Sequence, residues 1–226
     1  MPEQISLRFD REPNYARKDF VLGSCNAMAA DWIDRWPDWP GRIKGLVIHG
    51  LPDSGKSHLG AIWAEISGAS MVTRLDDQTL QTLADNPHIL LDHPASGDDW
   101  PEEIFFHLLN RLIELDGTVL ILSRQPVSAQ SWGLADLSSR LAGLLSAEIG
   151  VPDDTVLMAV MQKIADDLGL ALSPEILSYT IARMERSFTA ARQTVEMIDS
   201  IALARKKKAS LAMVREIMDS MEPRLL

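Results

Sequence analysis

Gly50, Gly55, Lys56 and Ser57 stand in the order G-x-x-x-x-G-K-S. That spacing serves phosphate binding. A glycine-rich turn lets backbone N–H groups converge on phosphate oxygens, and the positive end of the following helix dipole strengthens the field. Lys56 would add a charge at the β/γ-phosphates and the Ser57 hydroxyl would ligate Mg²⁺. Pro52, Asp53, Ser54 and His58 complete the loop and the first helical turn. A second candidate is Ile89-Leu90-Leu91-Asp92, an apolar strand ending in a carboxylate that would hold Mg²⁺ through water. Hydrolytic motors usually carry an acid at the next position to polarise the attacking water; here it is His93, which predicts weak intrinsic hydrolysis. Ser123 ends the run Val119-Leu120-Ile121-Leu122. It would sense the γ-phosphate or the attacking water, although a helix-cap or turn serine fits the local sequence equally well. Arg140, within Asp136-Leu137-Ser138-Ser139-Arg140-Leu141, reads as a surface arginine or as a finger offered in trans to a neighbour's nucleotide.

A phosphate loop works only between a buried strand and a helix. Leu46, Val47 and Ile48 supply the strand over 46–49, and the helix follows over 56–66. Strands are expected also over 71–74, 89–92, 119–123 and 147–151, with helices over 27–36, 102–115 and 137–145. Such alternation predicts an α/β fold whose five-stranded parallel sheet is covered on both faces. After Pro152 only helical periodicity remains: Leu157, Val160, Met161, Ile164 and Leu168 form one stripe, and Phe188, Ala191, Val195, Ile198 and Ala202 another. Ser173-Pro174 gives a cap followed by proline at a helix's first position. The expected organisation is an arm over 1–14, an α/β domain over 15–152 and a small all-α domain of four helices over 153–226.

The 226 residues carry a net charge of −10, which argues against an autonomous or sequence-specific DNA binder, since phosphate neutralisation needs a basic face. The single cysteine, Cys25, excludes a cysteine-based zinc cluster and an internal disulfide. No signal peptide and no membrane-spanning apolar run are visible, so a cytoplasmic protein is expected. The arm contains Gln4-Ile5-Ser6-Leu7-Arg8-Phe9, which by spacing alone reads as an unstructured start or an edge strand. Arg205-Lys206-Lys207-Lys208 fits cations offsetting a helix C-terminus better than a contact with DNA or an acidic partner.

In combination these motifs resemble the AAA+ ATPase core of the DnaA replication-initiator family. The order is strand and P-loop, Ile-Leu-Leu-Asp, Leu-Ile-Leu-Ser-Arg, Leu-Ser-Ser-Arg-Leu, then a helical lid. The likeness is greater to the Hda branch: the sequence stops after the lid, Gln4, Leu7 and Phe9 fit the sliding-clamp motif Gln-x-x-Leu-x-Phe, and 133–141 is similar to the Hda version of its segment. The resemblance implies a P-loop NTPase with an AAA+ core and lid. Its role would be a nucleotide-bound regulator, carrying ADP in preference to ATP with Mg²⁺, that binds the DNA polymerase III sliding clamp and stimulates hydrolysis of DnaA-bound ATP, limiting re-initiation. Gln4 would enter a polar pocket of the clamp while Leu7 and Phe9 fill an apolar groove. Arg140 becomes the trans finger, and Phe20, Val21 and Gly23 fall in the segment that contacts the adenine side. The family's lid arginine has no direct match: Thr189 occupies that position, with Arg186 and Arg192 nearby, so either a neighbouring arginine, taken as Arg186, substitutes or the lid makes no direct contact with the β/γ-phosphates. A homodimer is compatible with this reading. The alternative is an independent P-loop ATPase or kinase acting without a protein partner.

Overall fold

The computed structural model describes residues 15–94 and 97–221; Gln4, Leu7 and Phe9 lie outside the described residues. The strands are β1 (Lys44–Gly50), β2 (Ser70–Val72), β3 (His88–Asp92), β4 (Thr118–Ser123) and β5 (Leu145–Ile149). They form one parallel sheet in the order β2-β3-β4-β1-β5. β4 is inserted between the strand that leads into the phosphate loop and the strand that ends in Asp92. Its six residues are all buried, as a continuous apolar run flanked by strands on both sides requires. Register sets Ser123 opposite His49 and Asp92 opposite Leu122, so the candidate side chains gather at the carboxyl ends of the strands.

Alternation along the strands divides the core between the two faces. On one face Leu46, Ile48, Leu90, Leu120 and Leu122 pack against Ile33, Leu59 and Trp63 from α1 (Ala27–Asp34) and α2 (Lys56–Ser67). On the other, Val47, Leu91, Val119 and Ile121 meet Phe105, Leu108 and Leu137 from α4 (Glu102–Glu114) and α5 (Ala135–Ala142). Gly60 lets α2 lie against the sheet: a Cβ there would stand 2.9 Å from Leu122 Cδ1.

Three elements differ from the sequence expectation. α3 (Asp77–Thr82) was not anticipated; it has no buried residue, so no apolar stripe announces it, and Asp76 starts it by accepting from Thr79 N–H. β2 covers 70–72 and not 71–74. The fourth expected helix ends at Ala142, because Leu145 belongs to β5 and pairs with Leu46; Val151, expected in that strand, is exposed.

The lid comprises α6 (Asp154–Leu168), α7 (Pro174–Ile181), α8 (Phe188–Arg205) and α9 (Leu211–Met221). Asp153, Ser173 and Ser187 cap the first three by accepting from Val156, Ile176 and Ala190 N–H. Leu157, Met161, Leu177, Val195, Ile198, Val214 and Ile217 make a separate core. Among the described residues no helix is long and apolar enough to cross a membrane.

Candidate functional site

The loop between β1 and α2 is shaped by residues without side chains. Gly50 has φ 155°, and a Cβ there would lie 2.6 Å from the Ile149 carbonyl oxygen. Gly55, left-handed at φ 92°, is the N-cap of α2, where a Cβ would press on Phe20. Lys56 is buried, and its Nζ donates to the carbonyls of Gly50 (2.9 Å) and Leu51 (2.7 Å) and to Ser54 Oγ (3.4 Å). The ammonium thus ties the loop together from beneath. Burial, then the positive charge of Arg124, pushes its pKa below the ordinary lysine value, with Asp53 and Asp92 opposing.

The residues fit a nucleoside phosphate with Mg²⁺. One oxygen of Asp92, Oδ1, is buried without a hydrogen-bond partner; the nearest cation-forming group is His93 Nε2 at 3.6 Å. A hydrated cation beside Asp92 and the Ser57 hydroxyl would satisfy that oxygen. Among the described residues no group of three or more His, Cys, Asp or Glu could hold a metal alone, so such a cation needs water and phosphate oxygens as well, as Mg²⁺ usually does.

A cleft of about 550 Å³ opens from the loop toward the lid, a size suited to a small ligand. Pro52, Asp53, Ser54, Gly55, Lys56, Ser57 and His58 line its floor, and Tyr15, Phe20 and Val21 one wall; Val160, Ile164, Leu168 and Phe188 of the lid face them. His58 stands edge-on to both Tyr15 and Phe20, with ring centroids 5.3 Å apart in each case, and its Nε2–H points to the Ala16 carbonyl at 3.2 Å. Burial first of all lowers its pKa. Asn26 pins the 20–26 segment, accepting from Gly23 N–H (2.8 Å) and donating to the Val21 carbonyl (2.9 Å). Gly23 does not line the cleft; it lies under α6, against Val156.

Ser123, Arg186 and Arg140 do not line the cleft either. Ser123 donates its hydroxyl to the Gln125 carbonyl and accepts from Gln125 N–H (3.3 Å) and Gln130 Nε2 (3.4 Å). It is spent within its own turn, and the following residue, Arg124, lines the cleft instead. Arg186 is drawn outward by Asp154, with Nε–Oδ1 at 2.8 Å, and lines a different hollow of about 200 Å³ beside Leu51 and Val151. Arg192 takes the inward place: it lines the cleft and pairs with Asp53 at 3.2 Å, while the Thr189 hydroxyl donates to the same carboxylate at 2.9 Å. The signal was the i,i+3 spacing from Thr189 to Arg192, which sets both on one helix face. Lys163 also lines the cleft, unanticipated. Arg140 is remote from the cleft of its own chain. It lies on α5 with Cζ 4.5 Å from the centroid of the Phe106 ring, beside Arg42 and Asp136 in a hollow of about 420 Å³.

A parallel sheet of this order, a P-loop after β1, a carboxylate-ending strand one position removed and an appended helical lid give the chain the fold of the AAA+ class of P-loop proteins. Comparison with known proteins narrows the class. Residues 153–218 match the family model described as "Hda, lid domain". A curated relative, the chromosomal replication initiator protein DnaA of Gloeothece citriformis, is 29% identical over 203 residues, covering 79% of this chain but only 44% of that protein. Domain III of Thermotoga maritima DnaA superposes with a TM-score of 0.71 at 18% identity, covering 93% of this chain and 98% of that one. The AMPPCP-bound DnaA of Aquifex aeolicus gives 0.63 at 18% identity, covering 86% and 68%. The lid thus resembles that of Hda, and the chain as a whole resembles the AAA+ core of DnaA.

Proposed function

We propose that this chain is a nucleotide-binding regulator of chromosomal replication initiation that acts on DnaA. Its cleft holds ADP, with Lys56 and the loop N–H groups on the phosphates, Ser57 and Asp92 toward a hydrated Mg²⁺, and Phe20 and Val21 toward the base. A bound nucleotide supplies a rigid link between sheet and lid. The arm, through Gln4, Leu7 and Phe9, binds the sliding clamp, and Arg140 is offered to ATP carried by DnaA, where it stabilises charge developing on the transferred phosphoryl group. The observation that carries the reading is the place of Arg140: it stands outside its own cleft on a short helix, in a chain whose lid matches that of Hda. His93, in place of an acid after Asp92, supports a cleft with little hydrolysis of its own.

The test is turnover of DnaA-bound ATP with clamp loaded on DNA. The parent should accelerate it, and Arg140→Ala should lose most of the stimulation, an in-trans arginine being worth about 10³-fold or more in related reactions. Equal stimulation by Arg140→Ala overturns the finger role. Turnover by this chain with neither DnaA nor clamp present overturns the regulatory reading as a whole.

A further inference from the structure

Asp53 is an unusual residue to find in a phosphate loop. It sits at the left-handed φ of 58°, a conformation glycine adopts at no cost, and places a negative charge on the floor of the cleft where phosphates are to bind. The carboxylate is engaged from across the cleft. Thr189, in the first turn of α8, donates to Oδ2 at 2.9 Å, and Arg192 Nε stands 3.2 Å from Oδ1. The positive end of the α8 dipole favours an anion at that place. Asp53 therefore occupies, from within the protein, an anion position composed of a helix N-terminus, a hydroxyl and a guanidinium.

Among the described residues the lid brings two cations to the cleft, and both are already neutralised. Lys163 pairs with Asp167 at 2.7 Å, and Arg192 with Asp53 and, at 3.7 Å, with Glu196. A further phosphate on the ligand would find no uncommitted cation on the lid side, and it would meet the Asp53 charge. We infer that Asp53, held by Thr189 and Arg192, is a specificity-determining residue that makes the cleft select a nucleoside diphosphate over a triphosphate. The inference rests on reading the cleft as a nucleotide site. It adds the residue that discriminates between ligands there and the means, an internal carboxylate competing with phosphate for Arg192.

The experiment is calorimetric titration of the full chain, stripped of nucleotide, with Mg²⁺-ADP and Mg²⁺-ATP. The parent should bind ADP about tenfold tighter than ATP or better. Asp53→Asn keeps the Thr189 bond and removes the charge. It should tighten ATP about tenfold, roughly 1.4 kcal/mol, while ADP changes little. Asp53→Gly, which suits the backbone, should do the same and serves if the asparagine variant fails to fold. Adding Arg192→Gln to Asp53→Asn should cancel the gain, because the released guanidinium is what the triphosphate acquires. An ADP:ATP ratio unchanged within twofold in both Asp53 variants overturns the inference. Failure of the underlying reading looks different: Lys56→Ala would then bind both nucleotides as the parent does.

Discussion

If Arg140 works on a partner's nucleotide, the helix that carries it must be held to a fraction of an ångström, and Glu102 is placed to do this. α5 has no side-chain cap of its own. Instead Glu102, in the first turn of α4, receives the N–H groups of Gly133 (2.9 Å) and Leu134 (2.6 Å), one carboxylate oxygen each. One turn along the same face, Phe106 stacks beneath the Arg140 guanidinium. α4 thus grips α5 at both ends. Charge-assisted hydrogen bonds contribute about 1.5–3 kcal/mol each when buried. One of these is solvent-exposed and the other partly so; discounted accordingly, the pair stabilises by about 2 kcal/mol. For a chain of this size Glu102→Ala should lower the melting temperature by about 4–8 °C. Glu102→Gln, which keeps one acceptor, should lose about half as much. Stimulation of DnaA-bound ATP hydrolysis should fall about tenfold in the alanine variant, mainly in the rate at saturating DnaA, since a misplaced group loses transition-state contact while docking persists. The assay is the turnover measurement above, run beside thermal unfolding. An alanine variant that melts within 1 °C of the parent and stimulates equally refutes the argument.

Two further predictions concern the cleft and the lid. His49, His58 and His88 all have pKa values below the usual 6.5, with burial the leading cause in each. Below pH 6.5 the unfolded chain therefore binds more protons than the folded one, so stability is complete above that value and is lost as the pH falls through it toward the folded values. Melting temperatures at pH 7.5 and 5.5 should show the decline, and His58→Gln should lessen it; a rise on acidification contradicts the assignment. Gly23→Ala would put a Cβ 2.1 Å from Val156 Cγ2, forcing α6 away from the 20–26 segment at a cost of about 1–3 kcal/mol. Val156→Ala in the same chain should recover much of the loss in a double-mutant cycle, and strict additivity of the two changes argues against the contact.

How much could be read beforehand depended on whether a residue's role is local. The phosphate loop, the strand ending at Asp92, and the Ser173-Pro174 start of α7 are fixed by neighbours within a few positions, and each is found where the sequence placed it. α3 escaped because five polar residues and a single leucine, none of them buried, leave no periodic trace. Leu144-Leu145 fits the end of an apolar helix as well as the start of a buried strand, and only pairing with Leu46 decides between them. The bonding of Ser123 and Arg186 was hidden for a stronger reason. The Ser123 hydroxyl is consumed by Gln125 and Gln130, and Arg186 by Asp154, 32 positions away; no spacing rule reveals such competition. The Asp53 contact with Thr189 and Arg192 spans 136 and 139 positions and exists only once the lid folds back over the loop.

The same separation bears on how the cleft and Arg140 are related in the proposed reading. The cleft lies at the carboxyl ends of the strands, closed by a lid that reaches it through α6 and α8. Arg140 belongs to the opposite side of the sheet, on a helix whose Leu137 and Leu141 are buried in the second face's core. Its guanidinium is held over Phe106 among residues that share nothing with the cleft. The hollow that Arg140 lines shares no residue with the cleft. In the proposed reading the bound nucleotide fixes the angle between sheet and lid, and with it the surface presented to DnaA, while the sheet itself carries the arginine as a rigid mount. A variant that empties the cleft should then weaken docking to DnaA, and Arg140→Ala should spare docking and remove the chemistry. Those two defects are separable by measuring the concentration of DnaA needed for half-maximal stimulation apart from the maximal rate. Loss of both in either variant would place the two sites in one unit, contrary to the geometry.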